Sequence, residues 1–381
     1  MANSSVFHRP PPTVIEKLTQ LNWAMLVVLC LLTGVGLAAQ YSVAGGSWSP
    51  WAERHALRFL IGLGLLIVIA VVPLWVWLRL AFPAYALALV ALALVPLIGT
   101  EALGARRWLA LGPLSFQPSE MMKVALVMAL ASYFHMLPAD RVSNPLWLLI
   151  PAAMIAVPMV LVMRQPDLGT ALMMGLIGGG ILMMAGAHLF YFAGAAATVL
   201  VAVPLVLPHL HDYQRRRVES FLDPSTDPLG AGYHITQSKI ALGSGGTSGK
   251  GFLGGTQSQL DFLPEKHTDF IFTTIGEEWG FVGSIAVLLL FALLVAVLMG
   301  MALATASRFG RLLISGSALI VFGYAAINVG MVSGAVPVVG VPLPFISYGG
   351  TSMMTLLFGL GLSMCAYVHR DDDMTGPGRP R

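Results

Sequence analysis

The chain has 381 residues, 57% of them hydrophobic and only 10% charged, with a formal net charge of +3. Soluble domains carry about 25% charged residues, and apolar runs of span length recur along this chain. These features exclude a soluble enzyme and a nucleic-acid binder, and they predict an all-α polytopic membrane protein.

Residues 1–21, with "FHRPPPTV", form a polar tail. About ten apolar windows then follow between 22 and 368, at 22–42, 56–74, 77–98, 117–136, 147–163, 168–186, 189–207, 273–303, 311–335 and 348–368. The first, "NWAMLVVLCLLTGVGLAAQYS", is longer than a secretory h-region and reads as an uncleaved helix. Cys30 and Cys365 sit inside separate apolar windows and offer no disulfide or metal framework. A second tail, 369–381, closes the chain, and ten spans place both tails on one side. With both in the cytoplasm, Arg9, Lys17, Arg79, Arg141, Arg308, Arg311, Arg370, Arg379 and Arg381 lie inside, as the positive-inside rule favours. Arg54, Arg58, Arg106, Arg107 and Arg164 are then left outside. Those exceptions fit either an anionic ligand on that side or a topology that tolerates a few misplaced charges.

One connection is long, residues 208–272 between the seventh and eighth windows, and it is expected on the extracytoplasmic side. It opens with Arg215, Arg216 and Arg217, which suit either lipid headgroups or an anionic substrate. "YHITQSKIAL", carrying Lys239, predicts a short amphipathic helix. The Gly-rich run 243–255 predicts turns and close backbone approaches.

Ionisable side chains at membrane depth are costly unless paired or hydrated, so each is a functional candidate. "GARRWLALG" brings Arg106, Arg107 and Trp108 to the interface, where Trp108 equally fits an aromatic belt. "FQPSEMMK" spaces Glu120 and Lys123 at i,i+3, either a structural ion pair or a pair of ligands. "RQPDLGT" places Arg164 and Asp167 at a helix junction, where Asp167 also suits a cap. "HTDFIFTTIGEEWG" puts Glu277 and Glu278 two to three turns into the eighth window. Just before it, "PEKHTDFIF" crowds Glu265, Lys266, His267 and Asp269 at the mouth of the span. Asp269, flanked by aromatic and apolar residues, is expected to be partly dried. Its pKa would rise accordingly, as suits a general base near neutral pH, although helix capping explains an aspartate there as well. His267 fits a hydrogen-bonding scaffold better than a metal site.

These segments, with "QPDLGTALM" and "PVVGVPLPFISYGG", occur in the order found in the SEDS family of bacterial membrane glycosyltransferases, which the chain resembles from about 100 to 370. "NVGMVSG" and "GGTQSQLDFLPEKHTDFIF" are similar to the elongation branch more than to the division branch. The resemblance implies a multi-pass protein of the cytoplasmic (inner) membrane that polymerises lipid II on its outer face. Its implied partners are a class B penicillin-binding protein and other elongation-complex proteins. Asp269 matches the family's essential loop carboxylate, and Trp108, Glu120, Lys123 and Asp167 match cavity-lining positions. The leaving pyrophosphate would be met by a divalent cation, magnesium or manganese, or by arginines among Arg106, Arg107, Arg164, Arg215, Arg216 and Arg217, with Lys239 a further substrate-binding candidate. Glu265 would orient the substrate or hold the metal, with His267 beside it. A lipid II flippase and the division branch stand as the alternative readings.

Overall fold

A chain in lipid satisfies its backbone polar groups only as helices or closed barrels, and apolar windows of this length become helices. The computed structural model describes residues 13–102, 105–111, 114–206, 215, 219–223, 227, 230–260, 262–263 and 265–372. Arg9, Arg216, Arg217, Arg379 and Arg381 lie outside the described residues.

A short helix α1 (Val14–Thr19), opened by a Thr13–Glu16 capping box, precedes α2 (Trp23–Val43), α3 (Trp51–Val71) and α4 (Leu74–Ile98). After a small sheet come α5 (Pro118–Met136), α6 (Pro145–Met163), α7 (Leu168–Ala185) and α8 (Leu189–Val206). The long connection carries α9 (Ala231–Ser244) and the single turn α10 (Thr256–Gln259). Then follow α11 (Ile271–Ala304), α12 (Arg308–Ser333) and α13 (Gly350–Val368). Eight of these helices are long and apolar enough to cross a membrane. α5 and α8 occupy the two remaining apolar windows.

α5 is less greasy than its neighbours because it faces protein, not lipid: from Met122 to Phe134 every residue is buried. It packs against α4, α7 and α12, while α3 packs on α13 and α2 on α11. Lipid-facing residues such as Leu87, Leu149, Phe190 and Leu289 are exposed around this core, as expected of a bundle whose solvent is hydrocarbon.

The two ends of the bundle differ. At one, Lys17 Nζ donates to Val71 O at 2.9 Å, Arg308 Nη1 to Leu137 O at 2.8 Å, and Ala306 N to Arg370 O at 3.0 Å. Both described chain ends therefore lie on one face. At the other, Gln40 Nε2 reaches His267 O and Ile346 O, and the His55 ring meets Phe345 O at 2.8 Å. The long connection, the sheet and the 334–349 loop gather there.

The sheet is a departure from the all-helical expectation. β1 (Thr100–Ala102), β2 (Ala105–Leu111) and β3 (Leu114–Phe116) form an antiparallel meander. Arg106 stands opposite Glu101 and Trp108 opposite Thr100, so the register shifts between them and Arg107 is the extra residue.

α11 is broken at Gly280, whose φ of 66° and ψ of −160° leave the helical region. A break at this depth frees backbone groups that must be bonded again, and the Gly-rich run does so. Lys250 N donates to Glu277 O, Gly251 N to Glu278 O, Phe281 N to Gly246 O and Val282 N to Thr247 O, at 2.9–3.2 Å. The approach is close enough that a Cβ on Gly249 would stand 2.0 Å from Glu278 O. Glu277 and Glu278 therefore lie ahead of the break, in a buried segment packed under the loop. They are not two to three turns into a continuous span.

Candidate active site

Glu265 opens a tight run of turns in which Thr268 N and Phe270 N both donate to its carbonyl at 3.2 Å. Its carboxylate accepts from Thr268 Oγ1 at 2.7 Å. Three consecutive residues of this run, His267, Thr268 and Asp269, are fixed one by one through their carbonyls. His267 O accepts from Tyr348 N (2.8 Å) and Gln40 Nε2 (3.0 Å). Thr268 O accepts from Ser347 Oγ (2.6 Å) and Asp269 O from Asn328 Nδ2 (2.8 Å). The donors come from α2, α12 and the 334–349 loop, so three parts of the fold hold this short stretch.

Asp269 stays partly exposed while protein packs most of its carboxyl group. Gly340, at φ +70°, lies beside it, and a Cβ there would make ordinary contact with Oδ2 at 3.5 Å. Burial, followed by the like charges of Glu265 and Asp167, raises its pKa from 3.8 to about 7. His267 is committed elsewhere: its ring stacks on Trp51 at 4.1 Å, with Tyr348 edge-on to that Trp and Arg58 over the Tyr348 ring. Burial holds the His267 pKa below the usual value, offset in part by Glu265. Lys266 Nζ donates to Ser258 O at 2.6 Å.

Asp167 caps α7, accepting from Thr170 N at 3.1 Å and Thr170 Oγ1 at 2.9 Å. Arg107 reaches across from β2 to donate to Gln165 O (3.1 Å) and Pro166 O, so its guanidinium fixes the turn that carries Asp167. Gln165 Nε2 ties the same turn to Leu92 O at 2.9 Å. Arg106 and Arg164 are exposed at this face, and Trp108 is partly buried.

Deeper in the bundle, Lys123 Nζ donates to Glu120 Oε1 at 2.7 Å, with side chains almost wholly buried. The Tyr324 hydroxyl completes a ring, donating to Glu120 Oε2 and accepting from Lys123 Nζ. Two charges out of water are tolerated when every hydrogen bond is made, and Tyr324 supplies the bonds the pair lacks by itself.

Glu277, 0% exposed, receives Lys250 Nζ (2.7 Å), Thr256 Oγ1 (3.0 Å), Gln257 N (3.0 Å) and Ser258 N (3.3 Å). Glu278 accepts from Ser42 Oγ. Both glutamates fasten the loop to the bundle.

The candidates thus fall into three groups. Asp269, Glu265 and Asp167 share one electrostatic neighbourhood, which Arg107 braces. Glu120 and Lys123 form a separate buried unit beneath it. Arg215 is exposed and paired with Glu219 at 2.7 Å, while Lys239 lies over Gly334 at the end of α12. Neither is gathered with the carboxylates. A scan for charge overlooks Tyr324, Asn328, Gln40 and Ser347 because they are neutral. The i,i+4 spacing of Tyr324 and Asn328 on one otherwise apolar helix is the signal that finds two of them.

The sequence model of the FtsW/RodA/SpoVE cell cycle proteins matches residues 16–372. The peptidoglycan glycosyltransferase MrdB of Escherichia coli K12 is 41% identical over 353 residues, covering 92% of this chain and 94% of its own. A probable peptidoglycan glycosyltransferase FtsW of Aeromonas salmonicida is 37% identical over 348 residues, 88% of each chain. A chain of a peptidoglycan synthase complex that coordinates polymerization and crosslinking superposes with a TM-score of 0.82 at 32% identity, over 93% of this chain and 99% of that one. The Thermus thermophilus rod shape determining protein RodA gives 0.69 at 29% identity, over 93% and 98%. With α2 to α13, the loop and the site all inside the matched region, the chain belongs to the FtsW/RodA/SpoVE family of cell cycle proteins, the SEDS family.

Proposed function

We propose that this protein is the elongation-type peptidoglycan glycosyltransferase of its cell, joining lipid II units at the outer face of the inner membrane with Asp269 as general base. The observation that carries the assignment is a partly dried carboxylate, raised to about 7, anchored on both sides at one end of the bundle. A base with a pKa near the operating pH combines a usable ionised fraction with proton affinity. The lipid tail of the donor would stop at this depth, leaving sugar and pyrophosphate beside the loop.

A β-linked product from an α-linked donor needs one displacement. The acceptor hydroxyl oxygen attacks the anomeric carbon, and the bond to the pyrophosphate oxygen breaks with its electron pair going to phosphate. The hydroxyl proton passes to Asp269. Glu265 and Asp167, as neighbouring anions, keep that carboxylate basic. Arg106 and Arg164, both exposed at this face, are the described cations placed to meet the leaving pyrophosphate. Arg107 acts on the site through the turn it holds.

Among the described residues no three of His, Cys, Asp and Glu come together as a metal cage. A magnesium or manganese ion would enter with the substrate's phosphates, with Glu265 as its protein ligand.

Both described chain ends are assigned to the cytoplasm, opposite the loop. The crosslinking partner is assigned to a class B penicillin-binding protein. Its membrane helix would lie along α11 beyond Gly280, where Phe281, Ile285, Leu289 and Leu293 form an exposed apolar stripe at i,i+4 spacing.

Purified protein with its partner should polymerise labelled lipid II, and Asp269→Ala should lose that activity while still binding lipid II. Normal polymerisation by Asp269→Ala would refute the base. The flippase reading is favoured by one feature, the charged pair inside the bundle. Lipid II translocation in vesicles without any polymerisation would establish it.

A further inference from the structure

We infer that Asn328 is a positioning residue for the reaction, holding Asp269 and the Gly340 wall beside it in one fixed arrangement. The inference rests on Asp269 being the base. Asn328 is 0% exposed on α12, and its amide nitrogen makes two bonds at once: to Asp269 O at 2.8 Å and to Val341 O at 2.7 Å. Val341 follows Gly340, where a Cβ would come into ordinary contact with Asp269 Oδ2 at 3.5 Å. One side chain therefore ties the backbone of Asp269 to the backbone of the loop that passes beside its carboxylate. No other described side chain bonds both segments at these two points. Gln40 and Ser347 hold the neighbouring carbonyls instead.

Two further observations favour a functional reading over simple packing. The Asn328 Oδ1 is buried without a hydrogen-bond partner in the protein. A residue kept only to fill space would not carry that desolvation cost. Its amide is also one turn along α12 from Tyr324, which closes the Glu120–Lys123 ring. The same face of α12 thus meets both the loop, at the Asp269 carbonyl, and the buried ion pair.

The charged groups whose fields reach Asp269 are Glu265 on its own loop and Asp167 on α7. Neither is touched by a change at Asn328, so a shift in the pH profile would report on the Gly340 wall. Asn328→Ala frees that wall and admits water. The carboxylate then moves back toward the ordinary range, and the acidic limb of the pH–rate profile moves to lower pH. With the geometry loosened, plateau kcat falls about 10- to 100-fold, while KM for lipid II changes less than about threefold.

The test is steady-state polymerisation of labelled lipid II by the complex with its partner, across pH, alongside Asp269→Ala. Ser347→Ala, which removes the clamp one residue earlier, should lower kcat selectively in the same way and serves if Asn328→Ala does not fold. Wild-type kcat and an unmoved acidic limb in a folded variant would overturn the inference. So would a loss confined to thermal stability. Should Asp269→Ala itself stay active, the base assignment fails first, and that outcome is distinct from an inactive Asp269→Ala beside a fully active Asn328→Ala.

Discussion

Asp269→Asn separates the cost of a dried carboxylate from its use. Holding Asp269 at about 7 in place of 3.8 corresponds to roughly 4 kcal/mol of penalty on the ionised form, at about 1.4 kcal/mol per tenfold change in protonation. Its partly open side lets water screen the charge, so about 2 kcal/mol is expected in practice. A raised carboxylate pKa stabilises the fold fully only below the unfolded value, and that stability is lost as pH rises through the folded value. The penalty is therefore absent at the most acidic pH, accumulates between 3.8 and about 7, and stays constant above. The isosteric amide escapes it. Asp269→Asn should thus be inactive in polymerisation yet melt about 2–4 °C higher than the parent at pH 8. The gain should shrink to about a third at pH 5. Thermal unfolding in detergent, followed by tryptophan fluorescence at the two pH values, measures both. A variant less stable than the parent at pH 8, or equally shifted at both pH values, would refute the reasoning.

Two further substitutions test how the site is supported. Glu277→Ala removes a fully buried acceptor from four donors and should destabilise by about 3–5 kcal/mol. Faster proteolysis between Gly245 and Gln259 is the readout, and unchanged cleavage would place the loop's anchor elsewhere. Lys123→Met leaves Glu120 charged and unpaired inside the bundle at a similar cost of about 3–5 kcal/mol. Joining it with Glu120→Gln should recover most of the lost thermal stability, and failure to recover would mean that the pair is not the source of the loss.

How far these features can be read from sequence depends on the length scale of the signal. Hydropathy is averaged over a whole span, and so α2 to α8 and α11 to α13 emerge close to their windows. The largest shift, at α3, arises because its first turns carry Glu53, Arg54, His55 and Arg58, polar residues at the end of the bundle that hydropathy discounts. Amphipathic spacing likewise foretells α9 (Ala231–Ser244) around Lys239. The sheet around Trp108 escapes because its strands are short and apolar alternation there is masked by two adjacent arginines. Charge finds Asp269, Glu265 and Asp167, since an ionisable group beside hydrocarbon is conspicuous. It cannot reveal that Arg107 is spent on the carbonyls of Gln165 and Pro166, or that the clamps on the loop are an asparagine, a glutamine and a serine. Those depend on pairings between residues as many as 227 and 306 positions apart, as for Gln40 with His267 and Ile346.

The break at Gly280 explains why so elaborate a loop is needed to present a single carboxylate. A continuous α11 would bring the chain straight from lipid to water, and residues above it would have only helix fraying to hold them. Breaking the helix leaves a buried segment, Ile271 to Trp279, lying under the loop, with Glu277 turned toward Lys250 and Glu278 toward Ser42. The freed backbone groups are bonded again by the run from Gly246 to Gly251, in which Gly249 passes so close that a Cβ would stand 2.0 Å from Glu278 O. The loop is thereby fastened to the bundle on one side by the glutamates and on the other by Asn328, Ser347 and Gln40. Asp269 sits between the two fastenings, two residues before the buried segment begins at Ile271. A carboxylate mounted this way would keep its position while a lipid-linked chain moves past it, which the proposed base requires at every turnover and a passive interface does not.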